Sequence, residues 1–267
     1  MYSVDIVMQG PVNEKTYTTA ESYFTLPWVN RVFISTWEGQ NSWDTNYRIV
    51  VIKSPDLSNP GVNNRNRQIY SSQVGIVRCD ADIIIKTRSD QQISISSMKK
   101  MYEFFWKNYT IDKKFLDATG PKGAIFTVGL YSGYVFHPED HLFWGFQEDI
   151  KALYDIPLDP IVPVNINDPV VRDAGEFAHK YVRPNAYLGM YYYARFDERI
   201  KYMTEHPGDF IVDNASGRAE AFERELPFKD VIFKAFPRID LWWEKYNMSY
   251  PYETGIAYSE YWGKSWE

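Results

Sequence analysis

The chain has 267 residues, enough to bury a substantial core as one elaborated domain. Its formal net charge of −6 argues against a nucleic-acid partner, because nucleic-acid binders present a basic face. The single cysteine, Cys79, excludes an intramolecular disulfide framework and any cysteine-rich zinc site.

Val4-Asp5-Ile6-Val7-Met8 reads as a first strand ending at Gln9-Gly10-Pro11. A helix around Thr16 to Leu26 follows, then Arg31-Val32-Phe33-Ile34-Ser35-Thr36 as a second strand and Arg48-Ile49-Val50-Val51-Ile52 as a third. Helical spacing returns from Asn66 to Val77, and Asp82-Ile83-Ile84-Ile85-Lys86-Thr87-Arg88-Ser89-Asp90 is a buried strand with an acid where it gives out. This alternation predicts an α/β fold: a Rossmann-type, mostly parallel sheet flanked by helices. After Ser96, Met98, Met101, Tyr102, Phe105 and Trp106 form the apolar face of a helix. Phe126 to Phe136 reads as strands with glycine turns, and a helix is expected to carry Phe143, Phe146, Ile150, Leu153 and Tyr154. Prolines 157, 160, 163 and 169 mark an ordered connection or lid. Val171 to Tyr202 looks mostly helical with a break near Arg183-Pro184, and the tail from Phe228 is aromatic and irregular. One domain is expected, with an α/β half over 1–96 and a second half with a C-terminal helical and aromatic elaboration over 97–267.

The start, Met1-Tyr2-Ser3-Val4-Asp5, lacks the basic and apolar parts of a signal peptide. No run approaches the roughly 18 apolar residues of a membrane span. A cytoplasmic protein with no transmembrane segment is expected, its aromatic tail in reach of a lipid-linked acceptor at the membrane surface. Aromatic residues make up 17% of the chain, which gives mild support to a carbohydrate ligand, since Tyr and Trp stack on sugar rings.

In open α/β sheets ligands bind outside the carboxyl ends of the strands. Four such ends are polar here. Gln9-Gly10-Pro11 offers an amide and a glycine that permits close approach to the backbone. Ser35-Thr36-Trp37-Glu38-Gly39 groups hydroxyls, an indole and an acid. Asn63-Asn64-Arg65-Asn66-Arg67-Gln68 opens a helix, where backbone donors and the dipole favour phosphate. Arg88-Ser89-Asp90 closes the set, its carboxylate placed to hold a hard cation.

The run from Asn63 through Arg67-Gln68 and Gly75 to Arg88-Ser89-Asp90 resembles the donor half of a GT-A glycosyltransferase. The chain is more closely similar to the WavE lipopolysaccharide-synthesis family of glycosyltransferases. The matching pieces are Val7-Met8-Gln9-Gly10-Pro11, Ile34-Ser35-Thr36-Trp37-Glu38-Gly39, Asn66-Arg67-Gln68-Ile69 and Lys86-Thr87-Arg88-Ser89-Asp90, and the likeness fades after about Phe146. The resemblance implies a GT-A-like fold and transfer from a nucleotide-diphosphate sugar to a glycan or lipid-linked oligosaccharide acceptor. Gln9, Gly10, Pro11, Thr36, Trp37, Asn63, Arg65, Asn66 and Arg67 would face the nucleotide, with Arg88 and Asp90 at the diphosphate. Arg88 stands where the first acid of an Asp-x-Asp motif would be. Either Asp90 holds Mn²⁺ or Mg²⁺, or Arg88 partly replaces the metal; both would stabilise charge on the leaving group.

An inverting transferase needs a base to take the acceptor proton. Asp149 or Glu148, after Phe143-Trp144-Gly145-Phe146-Gln147, and Asp140 are the candidates. Of the histidines, His137 and His141 flank the Glu139-Asp140 pair, each expected to be a surface or packing residue. The rivals are a non-enzymatic carbohydrate-binding protein and a sugar nucleotidyltransferase. The second would want a glycine-rich basic loop after the first strand, which Gln9-Gly10-Pro11-Val12 does not supply.

Overall fold

The computed structural model describes residues 2–41, 46–61, 64–111, 120–130, 136, 138–159, 184–205, 224, 228, 231–237, 239–244 and 248–252. Seven strands form the main sheet: β1 (Val4–Gln9), β2 (Val29–Trp37), β3 (Ile49–Ser54), β4 (Ile83–Arg88), β6 (Ile125–Thr127), β7 (Leu142–Phe146) and β8 (Phe233–Ala235). Their order is β3-β2-β1-β4-β7-β6-β8. The strands β3, β2, β1 and β4 run parallel, and β7 is antiparallel to both β4 and β6. This is the mostly parallel, helix-flanked α/β sheet that the sequence predicts. A second sheet, β10-β9-β5, joins β5 (Gln91–Ile93), β9 (Ile239–Trp243) and β10 (Met248–Tyr252).

Burial on both faces explains the composition of the central strands. Every residue of β1 is buried, and Ile83, Ile84 and Ile85 of β4 are wholly so. One face packs against α1 (Glu14–Ser22) and α3 (Ile95–Asn108), where Met98, Met101 and Phe105 are buried. The other carries α2 (Arg65–Ile76), α4 (Gln147–Tyr154) and α5 (Pro184–Tyr193), followed in the chain by α6 (Glu198–Glu205). Gly75 lets α2 lie close on β1: a Cβ there would sit 2.5 Å from Val7 Cγ1.

Much of the aromatic excess is core. Trp28 stacks on Tyr102 with ring centroids 4.8 Å apart, and Trp144, Phe105 and Phe126 are fully buried beside them. These rings face one another, so their number says little about a sugar ligand.

Two segments differ from expectation. Phe143 and Phe146 belong to β7, and helix begins only at Gln147. All five residues of Leu142–Phe146 are buried between β4 and β6, and an aromatic run in that place is satisfied by ladder hydrogen bonds. The tail supplies β8, β9 and β10, so it is more regular than its composition suggests. Of the expected helical stretch 171–202, residues 184–193 and 198–202 are helical and 171–183 lie outside the described residues. So do Pro160, Pro163 and Pro169.

Candidate active site

The register brings β1, β2, β3 and β4 to a common edge. Gln9 lies between Ser35 and Arg88, and Trp37 is opposite Ser54. Because β7 is antiparallel to β4, with Thr87 facing Leu142, the residues before β7 return to this edge. Gln9, Trp37, Arg88, Asp90 and the Glu139-Asp140-His141 segment are thereby assembled from positions far apart in sequence.

The turn after β1 is stitched to the end of β4. Gly10 has φ +127°, and a Cβ on it would lie 2.7 Å from Ser89 Oγ. The Ser89 hydroxyl donates to Pro11 O at 2.6 Å, and Thr16 Oγ1 donates to Ser89 O at 3.0 Å. The close approach expected at Gly10 is made by the chain itself.

The Asn/Arg run opening α2 is also largely inward. Arg65 is fully buried, with Nη1 2.5 Å from Asp159 Oδ2 and its guanidinium over the Tyr187 ring. Asn66 is buried and clamps the Asp159 backbone: Nδ2 donates to Asp159 O at 2.8 Å, and Asp159 N donates to Oδ1 at 2.7 Å. The amides of Asn66 and Arg67 donate to Pro60 O at 3.0 and 3.3 Å, so the helix start is capped from within. Arg67 is half-buried and grips Asp56, with Nε 2.7 Å from Oδ1. Asn63 lies outside the described residues. Gln9 accepts from Ser71 Oγ at 2.9 Å, and the Thr36 hydroxyl is buried without a hydrogen-bond partner among the described residues. Gln9, Thr36, Arg65 and Asn66 therefore back the edge, while Trp37, Arg67, Arg88 and Asp90 are only half-buried along it.

At the β4 end, Arg88 holds Asp90 with two hydrogen bonds, Nε to Oδ1 at 2.9 Å and Nη2 to Oδ2 at 2.7 Å. Beside them stand Glu139, Asp140 and His141, all buried. Gln68 Nε2 donates to Asp140, and the Thr127 hydroxyl donates to Glu139 O. Beneath lies Lys86, fully buried on β4, whose Nζ donates to Asp140 O at 3.0 Å. The local sequence already carried a signal for it, since a lysine inside a β-branched strand is a charge in the core.

Asp149 and Glu148 are not in this group. Phe146 pairs with Ile83, and Gln147 N donates to Asp82 O at 3.0 Å, so α4 starts at the opposite edge of the sheet, roughly 16 Å away along β4. Asp149 accepts from the amides of Lys122 and Gly123, each at 3.0 Å, and Glu148 pairs with Lys122 at 2.9 Å. Antiparallel β7 is the physical reason: it carries the chain away from the site before those acids occur.

Residues 4–164, more than half of the chain, match the family described as WavE lipopolysaccharide synthesis. The chain belongs to that family. The WavE match takes in every strand end above and the Glu139-Asp140-His141 segment, and it places the protein in lipopolysaccharide synthesis. No curated protein matches this sequence. Among solved structures it is similar to HddC from Yersinia pseudotuberculosis, at 11% identity over 64% of this chain and 86% of that one, with a TM-score of 0.32. HddC from Yersinia pseudotuberculosis complexed with GMP-PN is similar at 12% identity over 59% and 80%, with a TM-score of 0.31. Likenesses this slight transfer neither a ligand nor a reaction.

The electrostatics of the WavE site follow from burial and close charges. Burial lowers the Lys86 pKa to about 8, with Asp140 opposing it. Burial alone would raise Asp140, but Lys86 and then Arg88 hold it well below the usual carboxylate range. Burial lowers His141 to about 4, so its ring is neutral near pH 7. Burial works against the charged Arg88, yet the hydrogen bonds and charge of Asp90 raise it above the ordinary arginine value.

Glu139, Asp140 and His141 bring two carboxylates and a ring nitrogen within 4.8 Å, donor types that could hold a divalent cation. Their atoms are engaged, however. His141 Nδ1 meets Gln91 Nε2, its Nε2 lies 3.3 Å from Glu139, and Asp140 is held by Gln68. Both oxygens of Asp90 are taken by Arg88. A cation would have to displace these partners beside two fixed positive charges, so the arrangement as it stands does not fit one.

Among the described residues no helix is long and apolar enough to cross a membrane.

Proposed function

We propose that this WavE protein is a glycosyltransferase, moving a sugar from a nucleotide-diphosphate donor to a growing lipopolysaccharide or related glycan. The observation that carries the reading is the half-exposed Arg88 fork beside Asp90, at the sheet edge where β1, β2 and β4 end. The diphosphate lies against Arg88, because a guanidinium offers phosphate the same two-pronged contact it now gives Asp90. The nucleotide runs along the edge past Trp37 and Arg67. Gln9, Thr36, Arg65 and Asn66 support that edge from behind.

In a single displacement, an acceptor hydroxyl oxygen attacks the anomeric carbon as the bond from that carbon to the diphosphate oxygen breaks. The electron pair leaves with the nucleoside diphosphate, where Arg88 offsets the added charge. The acceptor proton passes to a carboxylate, and Asp140 takes this role because it is the candidate acid that lies on the donor edge. Asp149 and Glu148, on the far edge, have no part in the step.

Calorimetric titration with UDP, GDP and CDP, each with and without Mn²⁺, tests the reading. Binding of one nucleotide in preference to the others is expected. A protein that binds oligosaccharides but none of the three is a carbohydrate-binding module and not a transferase.

A further inference from the structure

Lys86 is an unusual residue for the middle of a seven-stranded sheet. It is fully buried, yet it makes no ion pair among the described residues. Its one hydrogen bond goes to a backbone carbonyl, that of Asp140, and its Nζ lies 5.8 Å from the Tyr154 ring centroid. The neighbouring β4 residues on the same face are Ile84, in the core, and Arg88, at the rim. Taking an ammonium out of water is costly, and an apolar side chain would pack between Ile84 and Tyr154 without that cost. The compensation for keeping a charge here must lie in what the charge does to its surroundings. The groups that share its field are Asp140, Arg88, Asp90 and Glu139, which together make up the candidate site.

We propose that Lys86 is the positioning residue of the transfer reaction, holding Asp140 in place through its main-chain carbonyl. This rests on the glycosyltransferase reading and on Asp140 as proton acceptor. Lys86 touches no substrate: it lies a layer below, and Gln68 and Arg88 complete the frame around the Asp140 carboxylate from α2 and the rim.

The test is a double-mutant cycle with K86M, D140N and K86M/D140N. Release of UDP, GDP or CDP from the corresponding hexose donors is measured with water as acceptor, alongside nucleotide affinity and melting temperature. K86M keeps the methylene stem and should fold. It is expected to lower turnover about 10- to 100-fold while nucleotide affinity changes less than about 3-fold. The double variant should be no slower than D140N alone, because a residue that acts through Asp140 has nothing left to act on. K86Q retains a hydrogen-bond donor without the charge and should recover only part of the loss.

Losses in K86M and D140N that multiply in the double variant would overturn the inference, as would K86M turnover equal to wild type. If K86M does not fold, K86Q carries the same cycle. Wild-type protein that neither binds the nucleotides nor releases them from the donors overturns the transferase reading itself, and this inference with it.

Discussion

The Arg88 guanidinium closes on the Asp90 carboxylate two residues along, each nitrogen–oxygen pair within 2.9 Å. Both side chains remain partly open, at 27% and 17% exposure. A pair in that setting contributes little to stability, about 0–1 kcal/mol, so its worth lies in what it presents to a ligand. R88A and D90A should therefore melt within a few degrees of wild type. R88A should weaken nucleoside-diphosphate binding about 10- to 100-fold, the equivalent of one or two charge-assisted hydrogen bonds. R88K keeps the charge and loses the fork, so it should fall between. Calorimetry on the three proteins checks this, and wild-type affinity in R88A would remove Arg88 from the donor site.

Asp149 has the raised pKa of a catalytic acid but lies at the far edge of the sheet from the proposed site. Burial raises it to about 6, against the pull of the Gly123 and Lys122 amides. Its carboxylate closes the 122–123 turn onto the first turn of α4. D149A leaves the Lys122 and Gly123 amides, the second of them buried, without their acceptor and should cost about 1–3 kcal/mol in denaturant unfolding. Turnover measured well below the melting point should stay within about 2-fold of wild type. A variant that folds as stably as wild type yet loses turnover would put Asp149 back into the mechanism.

The reading of α4 shows where sequence is ambiguous. Phe143, Phe146 and Ile150 are spaced like one face of a helix, and a short apolar run does not distinguish a buried strand from a helix. What decides between them is a slot between β4 and β6, which only the assembled sheet reveals. By contrast, Ile83-Ile84-Ile85 is strand by its own chemistry, and with it came Arg88 and Asp90 at the edge. The Asn66-Arg67 piece was legible as a functional-looking helix start, but the partner that turns Arg65 and Asn66 inward, Asp159, is 94 residues from Arg65. Strand β9 was hidden for a similar reason: its pairing with β5 spans most of the chain.

Arg65 and Asp159 make the buried pair on which the start of α2 depends. Removing one partner strands the other charge in the core, a loss of about 3–5 kcal/mol. R65A should therefore destabilise strongly, whereas R65M/D159L, which removes both charges, should recover much of that loss. Denaturant midpoints of the two variants test it. Equal destabilisation in both would mean that the cost is one of packing and not of charge.

The neutral His141 sets an acid limit on stability. Its folded pKa of about 4 lies below the ordinary histidine value of 6.5. Between those values the unfolded chain takes up a proton that the folded protein refuses, so stability is full above pH 6.5 and falls as pH drops toward 4. The shift corresponds to at most about 3 kcal/mol. Asp149 acts in the opposite sense over about pH 6 to 4, because its raised pKa lets the folded protein take the proton first. The two therefore partly cancel at the acid end, and the His141 contribution is clearest between pH 6.5 and 6. H141Q, which keeps polar contacts toward Gln91 and Glu139 without a titrating ring, should show a shallower loss than wild type across pH 7.5, 6.5, 5.5 and 4.5 in denaturant unfolding. Parallel profiles for the two proteins would mean that His141 titrates in the fold as it does in the unfolded chain.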